Sequence, residues 1–339
     1  MKTLSPNRAR FFQNMAACLI SSTLLTGLFA QSANTPLPTT VPNAWSNLPA
    51  NKLKEYQDAL AARAHWMGKL PEGSVIALDV PYENNPAKGT LPASDQTLDL
   101  YVPKGPGPFP LIIWIHGGAW KGGSKEAQGT QLAAQGLPEG FAVASLNYRF
   151  VFDAKFPGMF QDCIDAVAFL RSHADQYHLD AAKFGIMGMS AGAHIAGVVA
   201  LTEGTSTYSN SGPPVQAAVL LCGFYDLTKE TGTWPNSAFP INPKDDFSNL
   251  YPDRAYDPGI AKKMSPIYQI HAGIPPVLLI HGDKDTTSPL IQSQMFVDAL
   301  KKAGMEASLT NYPDYNHNVW KADSLAETFA FFKKYLQGK

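Results

Sequence analysis

The stretch Phe184-Gly-Ile-Met-Gly-Met-Ser190-Ala-Gly-Ala-His-Ile-Ala-Gly-Val-Val-Ala200-Leu201 decides how this chain is read. Its opening residues form a short apolar strand that runs into Gly188, and residues 191–201 form an alanine-rich helix. Between them Gly188-Met189-Ser190-Ala191-Gly192 allows only a sharp strand-to-helix turn, with the serine at its apex and small residues where larger ones would clash. A serine held there presents its hydroxyl at the carboxyl end of a strand, which is where open α/β sheets bind their ligands.

Outward from that turn the chain alternates in the same way. Residues 74–80, 97–102 and 141–146 read as strands, and residues 111–115 are a continuous apolar run that must be buried on both faces. Downstream, residues 215–221, 277–280 and 307–312 complete the strands; helices are expected at 52–66, 160–173, 290–303 and 323–336. Alternating strands and helices without an internal repeat predict an α/β fold: a mostly parallel eight-stranded sheet with helices on both faces.

A serine hydroxyl becomes nucleophilic when a base takes its proton, and the usual base is a histidine oriented by a carboxylate. His317 lies in a loop after the last strand, within Tyr312-Pro313-Asp314-Tyr315-Asn316-His317-Asn318, where it can reach back over the sheet. The preceding strand leads into His281-Gly282-Asp283-Lys284-Asp285, so two aspartates compete for the role of acid. Asp285 stands further past the strand and is placed ahead; Asp283 suits a brace for the turn, and Asp226, after an earlier strand, is an outsider. His116 and His281 are expected to orient loops by hydrogen bonds, and His194, on the helix behind the serine, to be structural.

After the strand at 111–115 comes His116-Gly117-Gly118-Ala119-Trp120. Glycines there let the backbone approach a substrate so that amides donate to a developing oxyanion. The N–H groups of Gly118, Ala119 and Ala191 are the expected donors, and Gly117 stays open because the register is uncertain by one residue. Arg149 and Asp162 are expected to form a structural charge pair. Among Trp120, Phe150, Phe152, Phe156, Phe160, Phe224, Tyr225 and Trp234, two or three are expected to touch substrate and the rest to pack.

Residues 1–33 have the layout of a secretory signal: Lys2, Arg8 and Arg10, an apolar run too short and too interrupted by Ser and Thr to span a bilayer, then small residues at Ala30 and Ala33. Residues 34–50 read as a Pro- and Thr-rich linker, and 51–339 as one catalytic domain. Export with cleavage implies a secreted or periplasmic protein with no stable membrane association afterwards. The mature chain would keep Cys163 and Cys222, either as one disulfide or as two buried thiols. No Cys/His spacing suggests a metal, no cofactor is expected, and a net charge of -1 offers no basic field for nucleic acid.

Taken with these motifs, the chain resembles the α/β-hydrolase fold of the esterase and lipase superfamily. It is most similar to the feruloyl-esterase-like (BD-FAE) branch, near the hormone-sensitive-lipase and kynurenine-formamidase groups. The likeness rests on His116 to Trp120, Asn147-Tyr148-Arg149, Gly188 to Gly192 with His194, Ser265-Pro266, His281 to Pro289 and His317, and runs from Ser74 to the C-terminus. Alanine replaces the third glycine common in lipase-like members, and Ser288 stands where valine is frequent. The resemblance implies a small ester or polysaccharide-linked ester substrate, with acetyl or feruloyl groups on hemicellulose among the candidates. The rivals are amide or peptide hydrolysis on the same three residues and a non-catalytic binding protein that keeps the fold. Residues 228–266 exceed the length of an ordinary connection and form either a partial cap or a surface excursion.

Overall fold

A computed structural model describes residues 50–83, 95–210, 212–228, 250–251 and 255–339. The expected signal, nearly all of the linker, Trp234 and most of the expected cap lie outside the described residues. Eight strands form one sheet: β1 (Val75–Pro81), β2 (Thr97–Val102), β3 (Phe109–Ile115), β4 (Ala142–Leu146), β5 (Leu179–Met189), β6 (Ala217–Leu221), β7 (Val277–Gly282) and β8 (Ala307–Tyr312), in the order β1-β2-β4-β3-β5-β6-β7-β8. β1 and β2 pair antiparallel with each other, β2 pairs antiparallel with β4, and from β4 to β8 every pairing is parallel.

The central strands are apolar because both of their faces are covered. Leu111, Ile113 and Ile115 of β3 enter one core while Ile112 and Trp114 enter the other, and β4, β6 and β7 are buried throughout. On the first face lie α3 (Gly158–Ser172), α4 (Ala191–Thr202) and α6 (Leu290–Lys302). On the second lie α2 (Lys125–Gly136) and α7 (Ala322–Phe332), which continues as one π turn, Lys333–Gln337. An N-terminal helix, α1 (Ala50–Met67), packs against α2, and a short α5 (Pro258–Met264) precedes β7. Every residue of α4 is buried, which is why that helix is built from alanine, glycine and valine. Among the described residues no helix is long and apolar enough to cross a membrane.

Two helices depart from the sequence reading. The segment Lys125–Gly136 carries Gly129, Thr130 and Gly136, all weak helix formers, so propensity hides it. It folds because Leu132 and Ala133 reach the second core, and Gly129 lets its backbone lie against Ser145 of β4. α5 stands inside the segment read as an uninterrupted connection, started by Asp257, whose side chain accepts from the Ile260 amide. Cys163 and Cys222 are both buried free thiols, which decides between the two alternatives.

Candidate active site

Ser190 takes φ 57° and ψ −122°, a conformation that a non-glycine residue holds only when its surroundings enforce it, at a cost of about 1–3 kcal/mol. Two backbone bonds enforce it here. Its N–H donates to the Leu221 carbonyl at the end of β6 (2.8 Å), and its own carbonyl accepts from His194 N–H in the first turn of α4 (3.1 Å). Gly192 is obligatory beneath the turn, because a Cβ there would meet the carbonyls of Ile115 and His116 at the end of β3.

Residues 116–123 curl against this turn. A Cβ on Gly117 would stand 3.3 Å from the Ser190 Cβ, so the loop lies directly beside the serine. Gly118, Ala119 and Trp120 all have positive φ (120°, 52° and 60°), and Lys121 N–H closes the curl on the Gly118 carbonyl at 3.1 Å. The amides of Gly118 and Ala119 donate to no other described residue. Neither amide is committed within the fold, so both are available to a ligand.

Side chains fix the curl from behind. Trp120 Nε1 donates to His194 Nδ1 (3.1 Å), and His194 Nε2 donates to the Met264 carbonyl (2.6 Å). Burial pulls the His194 pKa down to about 4, which keeps the ring neutral, and the Met264 carbonyl holds its one proton on Nε2. His116 is likewise buried, its pKa lowered to about 4; its ring stacks on Tyr148 at 4.6 Å, and the Tyr148 hydroxyl donates to the His116 carbonyl (3.0 Å). Both histidines thus hold backbone in place, His116 as the expected loop orienter and His194 as a structural residue behind the serine.

Asp285 and His317 are brought together: Nδ1 of the ring donates to Oδ2 of the carboxylate at 2.7 Å. The chain between β8 and α7 reaches the site by crossing the end of β7, where Gly282 is required because a Cβ would meet the Tyr315 carbonyl. Lys284 N–H donates to that carbonyl (2.9 Å), and Asp283 accepts the Asp314 amide (2.7 Å). Asp283 therefore braces the crossing. Asp226 receives the amide and hydroxyl of Thr228, both at 2.7 Å, and serves its own loop.

The Asp285 side chain is fully buried, whereas that of His317 is 25% exposed. Burial on its own would raise the Asp285 pKa. Hydrogen bonds from His281 and His317, the charge of His317 and the Ser288 amide outweigh it and hold the carboxyl well below the usual carboxylate range. The other oxygen accepts the amides of Thr287 (2.7 Å) and Ser288 (2.9 Å).

Two partners of this carboxylate were invisible in the sequence. His281 Nε2 lies 3.2 Å from Oδ2, while its Nδ1 meets the Ser293 hydroxyl at 2.7 Å. Cys222, at φ 49° just past β6, directs its thiol to the same carboxylate, and burial pushes that thiol far above its ordinary pKa. Cys222, His281 and Asp285 place donor atoms within 4.8 Å of one another, a spacing a metal could share, yet Cys222 and His281 are both engaged with the Asp285 carboxylate that meets His317. Ser288 also has a use for its hydroxyl, which donates to the Gly223 carbonyl (2.7 Å) and ties the loop after β7 to the one after β6.

Of the eight aromatic residues weighed as pocket candidates, five are packed in the core. Trp120, Phe150, Phe160, Phe224 and Tyr225 are buried at 2% exposure or less, while Phe152 is 47% exposed. Arg149 and Asp162 form the expected charge pair (2.6 Å) and tie the end of β4 to α3.

The BD-FAE family model matches residues 98–300, from β2 to the end of α6. Esterase LipQ of Mycobacterium tuberculosis is 31% identical over 61% of this chain and 50% of its own length. The isoprenylcysteine alpha-carbonyl methylesterase ICME of Arabidopsis thaliana is 29% identical over 65% of this chain and 53% of its own. The chain thus spans about half the length of these curated relatives. Among solved structures, a truncated form of a carbohydrate esterase from gut microbiota superposes with a TM-score of 0.66 at 26% identity, over 78% of this chain and 96% of that one.

Proposed function

Because this chain belongs to the BD-FAE family of α/β-hydrolases, we propose that it is a serine carboxylic-ester hydrolase with Ser190 as nucleophile, His317 as base and Asp285 as the acid that orients it. The observation that carries the reading is the 2.7 Å bond between His317 Nδ1 and the buried Asp285 carboxylate, at the same end of the sheet as the strained Ser190 turn. A carboxylate on Nδ1 leaves Nε2 as the proton acceptor.

On this reading the steps are these. His317 Nε2 takes the Ser190 hydroxyl proton as Oγ attacks the ester carbonyl carbon. The carbonyl oxygen becomes an oxyanion and accepts from the amides of Gly118, Ala119 and Ala191. As the tetrahedral species collapses, the bond to the leaving oxygen breaks and His317 returns its proton to the alcohol. Water, deprotonated by His317, then cleaves the acyl-serine to acid and free enzyme.

The substrate reading is an acyl group, acetyl or feruloyl, on a polysaccharide side group. It draws support from the gut-microbial carbohydrate esterase among the solved neighbours and from the charge, apolar and small-residue order of residues 2–33, on which we propose export to the periplasm or medium. We also propose residues 51–339 as the catalytic domain, with 228–266 as its partial cap. The test is hydrolysis of 4-nitrophenyl esters from acetate to octanoate, and of 4-nitrophenyl ferulate, by the wild type and by Ser190→Ala. Turnover lost in the variant is the expected result. Equal rates in both would overturn the proposal, and turnover of anilides alone would replace esters by amides.

A further inference from the structure

The loop that curls beside Ser190 is held at its far end by α1, a helix that precedes the region matched by the family model. At that end Gly123 packs under the curl: a Cβ there would meet the Gly117 carbonyl, and His116 Nδ1 at 2.6 Å. Gly123 is thus packed directly against Gly117 and the His116 ring. The Gly123 amide donates to the Glu55 carboxylate of α1 at 3.0 Å.

Two residues further on, Lys125 enters a buried cluster of charges. Its ammonium group, 1% exposed, contacts Asp79 (2.5 Å), Glu126 (2.9 Å) and Asp99 (3.0 Å). Arg63 of α1, 6% exposed at its side chain, completes the cluster, 3.2 Å from Asp99 and 3.6 Å from Glu126. The Lys125 amide donates to Asn147 Oδ1 at 2.7 Å, at the end of β4. Loop exit, first turn of α2, strands β1 and β2 and the end of β4 thus meet at one point, and α1 supplies a charge to it.

Resting on the esterase reading above, we propose that α1 is a positioning element for the oxyanion loop: Glu55 holds the Gly123 amide, and Arg63 anchors the helix in the charge cluster where the loop ends. Glu55 touches no reacting atom. Its action is to keep the Gly118 and Ala119 amides aimed at the oxyanion, an interaction made in the transition state and weakly in the ground state, so its loss falls on kcat and spares KM.

The test uses the full chain with Glu55→Ala, Glu55→Gln and, as a control on an exposed ion pair of the same helix, Lys54→Ala. With 4-nitrophenyl acetate, Glu55→Ala should lower kcat about fivefold, the size of one hydrogen bond, and leave KM within about twofold. Inhibition by a phenylboronate, whose adduct on Ser190 carries the tetrahedral oxygen, should weaken by about the same factor. Glu55→Gln keeps an acceptor oxygen and should retain most of the rate, with Lys54→Ala at wild-type values. A wild-type kcat in Glu55→Ala, or a loss confined to KM, overturns the proposal. Hydrogen exchange over residues 116–123, expected to quicken in Glu55→Ala, reads the brace without reference to turnover; a Ser190→Ala variant that keeps full activity would instead sink the esterase reading.

Discussion

His281 Nε2 lies 3.2 Å from the same Asp285 oxygen that receives His317. That carboxylate is thus gripped from behind by an imidazole that never faces solvent, since His281 is fully buried. His281 Nε2 also donates to the Ser288 carbonyl at 2.9 Å, so replacing His281 by Gln disturbs both a contact that keeps the Asp285 carboxyl ionised and the loop that points it. The expected result is a fall in kcat of roughly tenfold to a hundredfold with KM little changed, from losing one bond to a charged group. Asp285→Asn should cost on the order of a thousandfold or more, because Nδ1 then loses its acceptor. Steady-state kinetics of the two variants checks the order; His281→Gln at wild-type kcat would remove His281 from the site.

Ala119 sits at φ 52° where a glycine would be unstrained. The left-handed conformation costs an alanine about 1–2 kcal/mol, and glycine's extra freedom in the unfolded chain returns about half of that gain. Ala119→Gly should therefore raise the melting temperature by about 1–3 °C with activity retained. Ala119→Val, β-branched in the same conformation, should lower both. Calorimetry decides: a glycine variant less stable than wild type would show that the alanine methyl packs usefully.

What could be read in the sequence was whatever is encoded by neighbours along the chain. The Ser190 turn is flanked by its own strand and helix, so five residues announce it. Asp285 was separable from Asp283 because two further residues beyond β7 let one carboxylate reach His317 while the other accepts the Asp314 amide. The helpers were hidden for the converse reason. Cys222 and Asp285 lie on different strands' ends, Glu55 and Gly123 are 68 residues apart, and no local pattern marks either pair. The aromatic residues show the same limit: Phe150 and Phe152 read alike in sequence, but one stacks in the core and the other meets solvent. α2 was concealed because tertiary burial of Leu132 and Ala133 overrides weak propensity.

Glu203, 1% exposed at the end of α4, has its pKa raised from 4.5 to about 7, first by burial and only partly offset by Arg171, whose Nη2 is 3.8 Å away. A carboxyl harder to ionise in the fold than in the unfolded chain penalises folding once the unfolded chain ionises. The penalty is absent below pH 4.5, grows between 4.5 and about 7, and is fully present above that. Glu203→Gln removes it. The variant should match wild type near pH 4 and exceed it by on the order of 2 kcal/mol at pH 8, measured by urea unfolding at both values. A gain of equal size at both pH values would mean that ionisation is not its source.

Arg63 is one of two cations set among Asp79, Asp99 and Glu126, and Asp99 and Glu126 are at most 1% exposed. Removing it leaves Lys125 alone to compensate three carboxylates, two of them out of reach of solvent. Breaking a buried pair from one side costs about 3–5 kcal/mol, because the remaining charge stays desolvated. Arg63→Met, which keeps the apolar stem, should therefore lose about 3 kcal/mol in urea unfolding. Adding Glu126→Gln should recover part of the loss by deleting one uncompensated charge, so the two substitutions combine less than additively. Salt should not rescue the single variant, since ions screen exposed charges and these are enclosed. If 0.5 M sodium chloride restores its stability, or if the double variant loses the sum of the two single losses, the cluster does not act as a unit.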